Sequence, residues 1–264
     1  MSDTTKLWSV TTILGQGIPK PALVGWAAKV AGEYAVDHLD ILAAHVRAGD
    51  RDGAIKLCTD ARWNTTKRAQ ERGASIHEVA EQYALGNPVD VPAHLAPYIE
   101  HLRAFLADHR PTYHAAEAPV YNTTYLYAGT LDAIVEIDGS LCVLDIKTTE
   151  KLPGEKSRPP WPEVALQLCA YSRCEHVGLR GSEREDGRYG TRYYLWDDTV
   201  EVAPMPAVDG AFALVLSPGD YQLVPCRVDD QMWATFLYVR EVARWSLETS
   251  RNALGKPVQQ AVEA

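Results

Sequence analysis

The dipeptide Asp138-Gly139 lies between two apolar runs and is the feature that most constrains the fold. Residues 130–137 read Thr-Leu-Asp-Ala-Ile-Val-Glu-Ile, and residues 141–148 read Leu-Cys-Val-Leu-Asp-Ile-Lys-Thr. Both runs have the apolar, β-branched character of strands, and Asp-Gly is a strong signal for a two-residue hairpin turn. The sequence therefore predicts an antiparallel hairpin over this segment.

The register of this hairpin brings two acidic residues together. A two-residue turn at 138–139 places Asp132 directly opposite Asp145. Opposite side chains have Cβ atoms about 4.5–5.5 Å apart, so two carboxylates there repel each other unless a positive charge lies between them. Lys147 is two residues beyond Asp145 and points to the same face. We expect these three side chains to form one cluster.

The cluster has two interpretations. One is a surface Asp–Lys–Asp ion cluster on a half-exposed sheet. The other is a metal site, because carboxylates suit Mg²⁺ and Mn²⁺, and charges in apolar surroundings are costly unless they are paired or metal-bound. Period-two alternation places the following apolar residues together on one side of the first strand: Leu131, Ala133, Val135 and Ile137.

The rest of the chain predicts helices before and after the hairpin. Helical patterns cover residues 21–48, 52–85, 93–109, 163–178 and 229–250. Further strands are predicted at 117–127, 191–196, 211–217 and 221–228. This order indicates a mixed α/β (α+β) domain over 1–264. Its predicted parts are a helical N-terminal part (1–70), a core (71–250) and a tail (251–264).

Four short motifs in this chain resemble those of the PD-(D/E)XK nuclease superfamily, in its RecB-like branch of phage exonucleases and CRISPR-adaptation nucleases. Each motif alone is weak, but all four occur in order across residues 73–171. They are Gly73-Ala74-Ser75-Ile76-His77, Gly129-Thr130-Leu131-Asp132, Asp145-Ile146-Lys147-Thr148 and Gln167-Leu168-Cys169-Ala170-Tyr171.

The resemblance implies a restriction-endonuclease-like core and a metal-dependent deoxyribonuclease. In such a site Asp132, Asp145 and Lys147 are catalytic, and the implied metal ligands are His77, Asp132, Asp145 and the backbone carbonyl of Ile146. The residues alone also allow His77 to be a surface or capping histidine. Some relatives carry an acidic residue where Glu117 opens the first core strand.

A third implied group supports the site or contacts DNA. Gln167 and Tyr171 are four residues apart and share one helix face, where they could contact a DNA phosphate or the lysine, or could form the polar rim of a packed helix. Arg72 and Lys151 flank the motifs and are candidates for DNA binding.

The net charge of −9 counts against a protein that coats nucleic acid nonspecifically. Local basic groups beside the expected site partly offset this charge. They are Arg62, Lys67, Arg68 and Arg72 before His77, and Lys147, Lys151, Lys156 and Arg158 after the catalytic strand. Trp161 follows this second group and could stack on a base or pack in the core.

Five scattered cysteines, without a C-x-x-C pair, argue against disulfides and a structural zinc site. The CRISPR-adaptation relatives carry an iron–sulfur cluster on cysteines that are mostly near the C-terminus, where this chain has Cys226 alone. We therefore expect Mg²⁺ or Mn²⁺ and no iron–sulfur cluster. No apolar run approaches a membrane span and no signal peptide is evident, so we expect a cytoplasmic protein.

The leading functional hypothesis is a DNA exonuclease of phage recombination or DNA processing. A structure-specific, CRISPR-associated or repair endonuclease keeps the same chemistry. A catalytically silent relative that binds DNA or protein is an alternative of another class, although such a relative is expected to lose the lysine or an acidic residue. A homo-oligomer or a recombination partner protein is compatible with each hypothesis.

Overall fold

The computed structural model describes residues 4–150, 160–178, 184–187 and 190–256. The helices are α1 (Val10–Gly17), α2 (Pro21–Asp37), α3 (Leu39–Arg47), α4 (Arg51–Ala84), α5 (Ala96–His109), α6 (Glu163–Ser172) and α7 (Asp230–Arg244). The strands are β1 (Thr5–Ser9), β2 (Thr112–Asn122), β3 (Tyr127–Ile137), β4 (Ser140–Thr148), β5 (His176–Gly178), β6 (Arg184–Asp186), β7 (Arg192–Trp196), β8 (Val202–Pro204), β9 (Gly210–Leu216) and β10 (Tyr221–Cys226).

The described strands form one mixed sheet, in the order β10-β9-β4-β3-β1-β7-β6, with β2, β5 and β8 joined to β3 through β2. The hairpin of β3 and β4 is antiparallel, whereas β4 pairs parallel with β9 and β1 pairs parallel with β3. Helices flank this sheet, and the N-terminal region is largely helical. The predicted fold class, mixed α/β, is confirmed.

The predicted hairpin register is confirmed. Ile137 pairs with Ser140 and Ala133 pairs with Leu144. Asp138 and Gly139 form the turn with φ of 52° and 78°. Positive φ at both central residues is what a type I′ turn requires, and Asp-Gly tolerates it.

A gap in the sheet lies next to this hairpin. One edge of β3 pairs with β4 from Ala133 onward and with β1 at Tyr127 and Ala128. Over residues 129–132, that edge has no strand pairing among the described residues. The opposite edge pairs with β2 along most of its length. The sheet therefore opens locally beside Asp132, and side chains from both layers reach this opening.

Two apolar cores lie on the two sides of the sheet. The α4 side contains residues of α4 and α5 packed on Ala133, Val135 and Ile137, and the α6 side contains residues of α1, α6 and α7. Leu131 packs in the α6-side core, so the expectation that it shares a side with Ala133 is wrong. The alternation of β3 breaks at Asp132, the residue beside the gap.

The N-terminal helices stand outside both cores. Every residue of α2 and α3 is described, and none is buried. The 34-residue helix α4 begins at the Asp50 cap, packs first against α2 and α3, and then enters the α4-side core at Ile76. It runs without a break between residues 70 and 71, where the sequence suggested that the core begins. β1 also belongs to the sheet, so the N-terminal part is not wholly helical.

Several predicted boundaries differ from the structure. The helix predicted over 163–178 ends at Ser172, and residues 176–178 form β5. The strand predicted over 117–127 is β2, which ends at Asn122 before a turn. Three strands of three residues each, β5, β6 and β8, are too short for a periodic signal. Among the described residues, no helix is both long enough and apolar enough to cross a membrane.

Candidate metal centre

His77 reaches the gap from the buried half of α4. Its Nε2–H donates to the carbonyl of Ile146 at 3.0 Å, and its Nδ1 lies 3.2 Å from Glu117 Oε1 and 3.4 Å from Asp132 Oδ1. Burial lowers the pKa of His77, but the negative charges of Asp132 and Glu117 outweigh this effect and raise the pKa to about 10. Without a metal, the imidazole is therefore cationic and faces an acceptor at both nitrogens.

Asp132 points along the plane of the sheet and into the gap. Its Oδ2 accepts a hydrogen bond from the backbone N–H of Ile146 at 2.5 Å, while its Oδ1 faces His77. The carboxylate thus satisfies a backbone donor that strand pairing leaves free at this point. This position differs from the expected side-by-side arrangement of Asp132 and Asp145 on one face.

Glu117 completes the group from β2, opposite Asp132 in the strand register. Its neighbours pair regularly, Ala116 with Ala133 and Ala118 with Leu131. Glu117 itself has φ of 45°, a left-handed conformation that costs a non-glycine residue about 1–3 kcal/mol. Such strain persists where the surrounding structure enforces it, and it occurs often at functional sites. The backbone here turns the carboxylate toward His77.

The three side chains can hold one metal ion. Their ligand atoms, from His77, Glu117 and Asp132, all lie within 4.8 Å of one another. Donor atoms around one Mg²⁺, each about 2 Å from the ion, lie about 3–4 Å apart, close to the separations seen here. Two carboxylates suit Mg²⁺ or Mn²⁺, and one imidazole favours Mn²⁺ of the two. The donor set therefore fits a hard divalent cation.

Next to this group, the buried Asp145 forms an ion pair with Lys147, which is half-buried. Lys147 Nζ lies 2.8 Å from Oδ1 and 2.6 Å from Oδ2 of Asp145, although Oδ2 lacks a well-aligned hydrogen bond to any described residue. Burial raises the pKa of Asp145 to about 6 against the opposing effect of Lys147. Burial lowers the pKa of Lys147, but Asp145 and Asp132 outweigh it and raise that pKa. Asp145 and Lys147 are therefore held together beside the three-residue group.

Gln167 and Tyr171 support this pair from α6. Gln167 Nε2 donates to Asp145 Oδ1 at 3.0 Å and contacts the Tyr171 hydroxyl at 3.2 Å. Tyr171 is 2% exposed, which favours its role as a buried support of this pair over a contact to a DNA phosphate. A Cβ at Gly129 would lie 2.4 Å from the Tyr171 ring, which explains glycine at that position.

The three flanking residues that were considered for DNA binding have different positions in the structure. Arg72 lies at the edge of the site and pairs with Glu150 just after β4, at 2.5 Å. Its guanidinium also faces the ring of Tyr98. Lys151 lies outside the described residues. Trp161 is 55% exposed, which excludes the fully packed alternative.

The structure thus places the expected residues in two adjacent groups. His77 and Asp132 join Glu117, whereas Asp145 joins Lys147 and Gln167 and is not part of the three-residue group. Ile146 lies between the groups, with its carbonyl bonded to His77 and its N–H bonded to Asp132. Glu117 carried little weight in the sequence analysis, because its position opposite Asp132 appears only in the register of β2 and β3.

Comparisons with known proteins do not assign this chain to a family. No protein-family model matches the chain, and no curated protein matches it. Among solved structures, one described as "Crystal structure of SSO0001" is 15% identical, with a TM-score of 0.29, over 68% of this chain and 69% of that chain. A likeness of this degree supports no conclusion about fold or function.

Proposed function

We propose that this protein is a metal-dependent nuclease that hydrolyses DNA phosphodiester bonds. The observation that supports the proposal is the convergence of His77, Glu117 and Asp132 beside the ion pair of the buried Asp145 with Lys147. The ordered motifs of the PD-(D/E)XK type supply the reaction class. Within that class, we favour an exonuclease of phage DNA recombination or processing over an endonuclease.

The proposed ligands are His77, Glu117 and Asp132, with Asp145 adjacent. A bound Mg²⁺ or Mn²⁺ would polarise a phosphate oxygen and make a water molecule more acidic. Ile146 orients His77 by accepting from Nε2–H, which directs Nδ1 toward the carboxylates. A histidine ligand usually has its second ring nitrogen held by such an acceptor. In this assignment Ile146 is a support for the metal site rather than a ligand through its carbonyl.

Lys147 supplies positive charge where a phosphodiester gains negative charge in the transition state. Fixed charges of this kind act strongly because they need no reorganisation during the reaction. Asp145 holds the ammonium in place, and Gln167 holds Asp145. This chain of contacts fixes the lysine beside the metal ligands.

A second function is favoured by one specific observation. The cationic His77 neutralises part of the charge on Asp132 and Glu117, so the group could be a metal-free ion cluster in a silent relative that binds DNA or protein. Titration with Mn²⁺ separates the two functions. Absence of binding at millimolar Mn²⁺ favours the silent relative.

The experiment that tests the proposal uses end-labelled linear DNA, single- and double-stranded, with Mg²⁺ or Mn²⁺. We expect metal-dependent cleavage by the natural protein and its loss in Asp132→Ala, Asp145→Ala and Lys147→Ala. Full activity in all three folded variants would refute the assignment. A circular substrate separates the exonuclease from the endonuclease, because only an endonuclease cuts DNA without ends.

A further inference from the structure

The middle of α4, just before the segment that carries His77, is an exposed stretch of helix. We name residues 62–71 the overhang. Its last five residues, 67–71, are all exposed, and the Lys67–Glu71 pair lies along its surface at 3.7 Å. A helix that is polar and exposed on all sides spans solvent between two packed regions. Here those regions are the packing with α2 and α3 and the α4-side core.

Helical geometry shows which side of the overhang faces the site. Trp63 and His77 are fourteen residues apart, close to four turns, so they lie on one side of α4 to within about 40°. On that same side, Gly73 approaches Thr148 of β4. Trp63, however, is 61% exposed. The side of α4 that contacts the core at Gly73 and His77 is therefore open to solvent at Trp63.

The chemistry of this open side suits a single strand of DNA. The guanidinium of Arg62 lies 4.4 Å from the ring centroid of Trp63. An exposed indole beside a planar cation is a surface on which unpaired bases stack, whereas the bases of a duplex are already stacked on each other. The overhang contains three basic side chains and one acidic side chain, in a protein of net charge −9. This local excess attracts phosphates.

We propose that the site-facing side of the overhang binds single-stranded DNA and leads it to the metal centre. Delivery of the strand to the metal centre rests on the proposed function, whereas binding of the strand to the overhang does not. Trp63 stacks on a base, and Lys67 and Arg62 contact phosphates. Trp63 and His77 are about 21 Å apart along the helix axis. At the stacked spacing of about 3.4 Å per nucleotide, this distance corresponds to roughly six nucleotides.

Two neighbouring lysine and arginine residues provide a matched control. Lys67 lies within about 80° of the His77 direction around the helix, whereas Arg68 points about 180° away. Lys67→Glu and Arg68→Glu make the same change in net charge one residue apart. If DNA contacts the site-facing side, Lys67→Glu weakens binding more than Arg68→Glu does. If only the net charge matters, the two variants weaken binding equally. Far-UV circular dichroism of both variants checks that the helix is retained.

The test measures binding of fluorescent dT20 in EDTA, so that cleavage does not interfere. We expect Trp63→Ala and Lys67→Glu each to weaken binding about tenfold, and Arg68→Glu to change it less than about twofold. We also expect Lys67→Glu to reduce the slope of log affinity against log salt by about 0.7. Binding to dT4 should be far weaker than to dT20, and a hairpin duplex should bind less tightly than dT20.

Three results would overturn the inference. They are unchanged dT20 binding in Trp63→Ala and Lys67→Glu, equal losses in Lys67→Glu and Arg68→Glu, and tighter binding of the duplex than of dT20. Failure of the proposed function gives a different result, because binding in EDTA needs no metal. Asp132→Asn serves as the cross-check: it should lose cleavage and still bind dT20 as the natural protein does.

Discussion

Two segments of α4 lie in opposite environments although they belong to one continuous helix. The segment that carries Ile76 and His77 is packed into the α4-side core, whereas the overhang, like α2 and α3, has no part in either core. The difference separates two tasks. In the proposed function, buried packing fixes the geometry of the metal ligands, and the exposed overhang presents charge and an aromatic ring to a single strand of DNA.

The comparison predicts the largest effect for a change at the packed end. We expect Lys147→Gln to lower the rate of DNA cleavage about 1000-fold, the upper range for loss of one fixed transition-state contact. Glutamine can still donate to Asp145, so the fold should be retained. The control is Trp63→Ala in the overhang, which we expect to reduce cleavage no more than about tenfold at subsaturating substrate. Equal losses of cleavage rate in the two variants would remove the distinction between the packed segment and the overhang.

A stability measurement sharpens the same comparison. Phe105 is fully buried beside the packed segment of α4, and Phe105→Ala should lower the free energy of unfolding by about 3–5 kcal/mol. Val24 of α2 is 73% exposed, and Val24→Ser should change the free energy of unfolding by no more than about 0.5 kcal/mol. Urea denaturation measures both. A comparable loss from Val24→Ser would mean that α2 belongs to a packed core.

The pKa of His77 predicts how metal affinity depends on pH. Because the pKa is raised to about 10, His77 is protonated at neutral pH and must lose that proton to bind Mn²⁺. Apparent affinity should therefore rise with pH between about 6.5 and 8, by up to about tenfold per unit. Calorimetry in two buffers of different ionisation enthalpy should show about one proton released per Mn²⁺. An affinity independent of pH would exclude His77 as a ligand.

The smallest expected effect concerns the strained residue of the site. Glu117→Gly and Glu117→Ala remove the same carboxylate, but only glycine relieves the left-handed conformation, so the glycine variant should have the higher free energy of unfolding, by about 1 kcal/mol. Either change also removes a ligand and should weaken Mn²⁺ binding. Asp138→Gly is the control, because its turn has the same positive φ but lies away from the site. A free energy of unfolding no higher in Glu117→Gly than in Glu117→Ala would show that the backbone at residue 117 is not strained.

The sequence could predict the hairpin because its determinants are local. Asp138-Gly139 sets the register, and the register brings Asp132, Asp145 and Lys147 to one end of β3 and β4. No local pattern could predict that Asp132 would turn into the plane of the sheet. That position follows from the gap between β4 and β1, and β1 comes from a distant part of the chain.

The remaining site residues depend on longer-range packing. His77 was predicted as a site residue from the ordered motifs alone, because a single histidine on a long helix follows no distinctive periodicity. The role of Glu117 depends on a backbone conformation that periodicity does not encode. The supporting role of Tyr171 depends on the fit of its ring against Gly129, which requires the α6 side of the sheet to be in place.

The central claim is that His77, Glu117 and Asp132 form a metal site. Isothermal titration calorimetry with Mn²⁺ tests it most directly, using the natural protein and Asp132→Asn. Asparagine keeps an oxygen that can accept from the Ile146 N–H, so the fold should survive while the ligand charge is lost. We predict saturable binding in the natural protein and at least about tenfold weaker binding in the variant. No binding heat at millimolar Mn²⁺, or equal affinities in the two proteins, would contradict the claim.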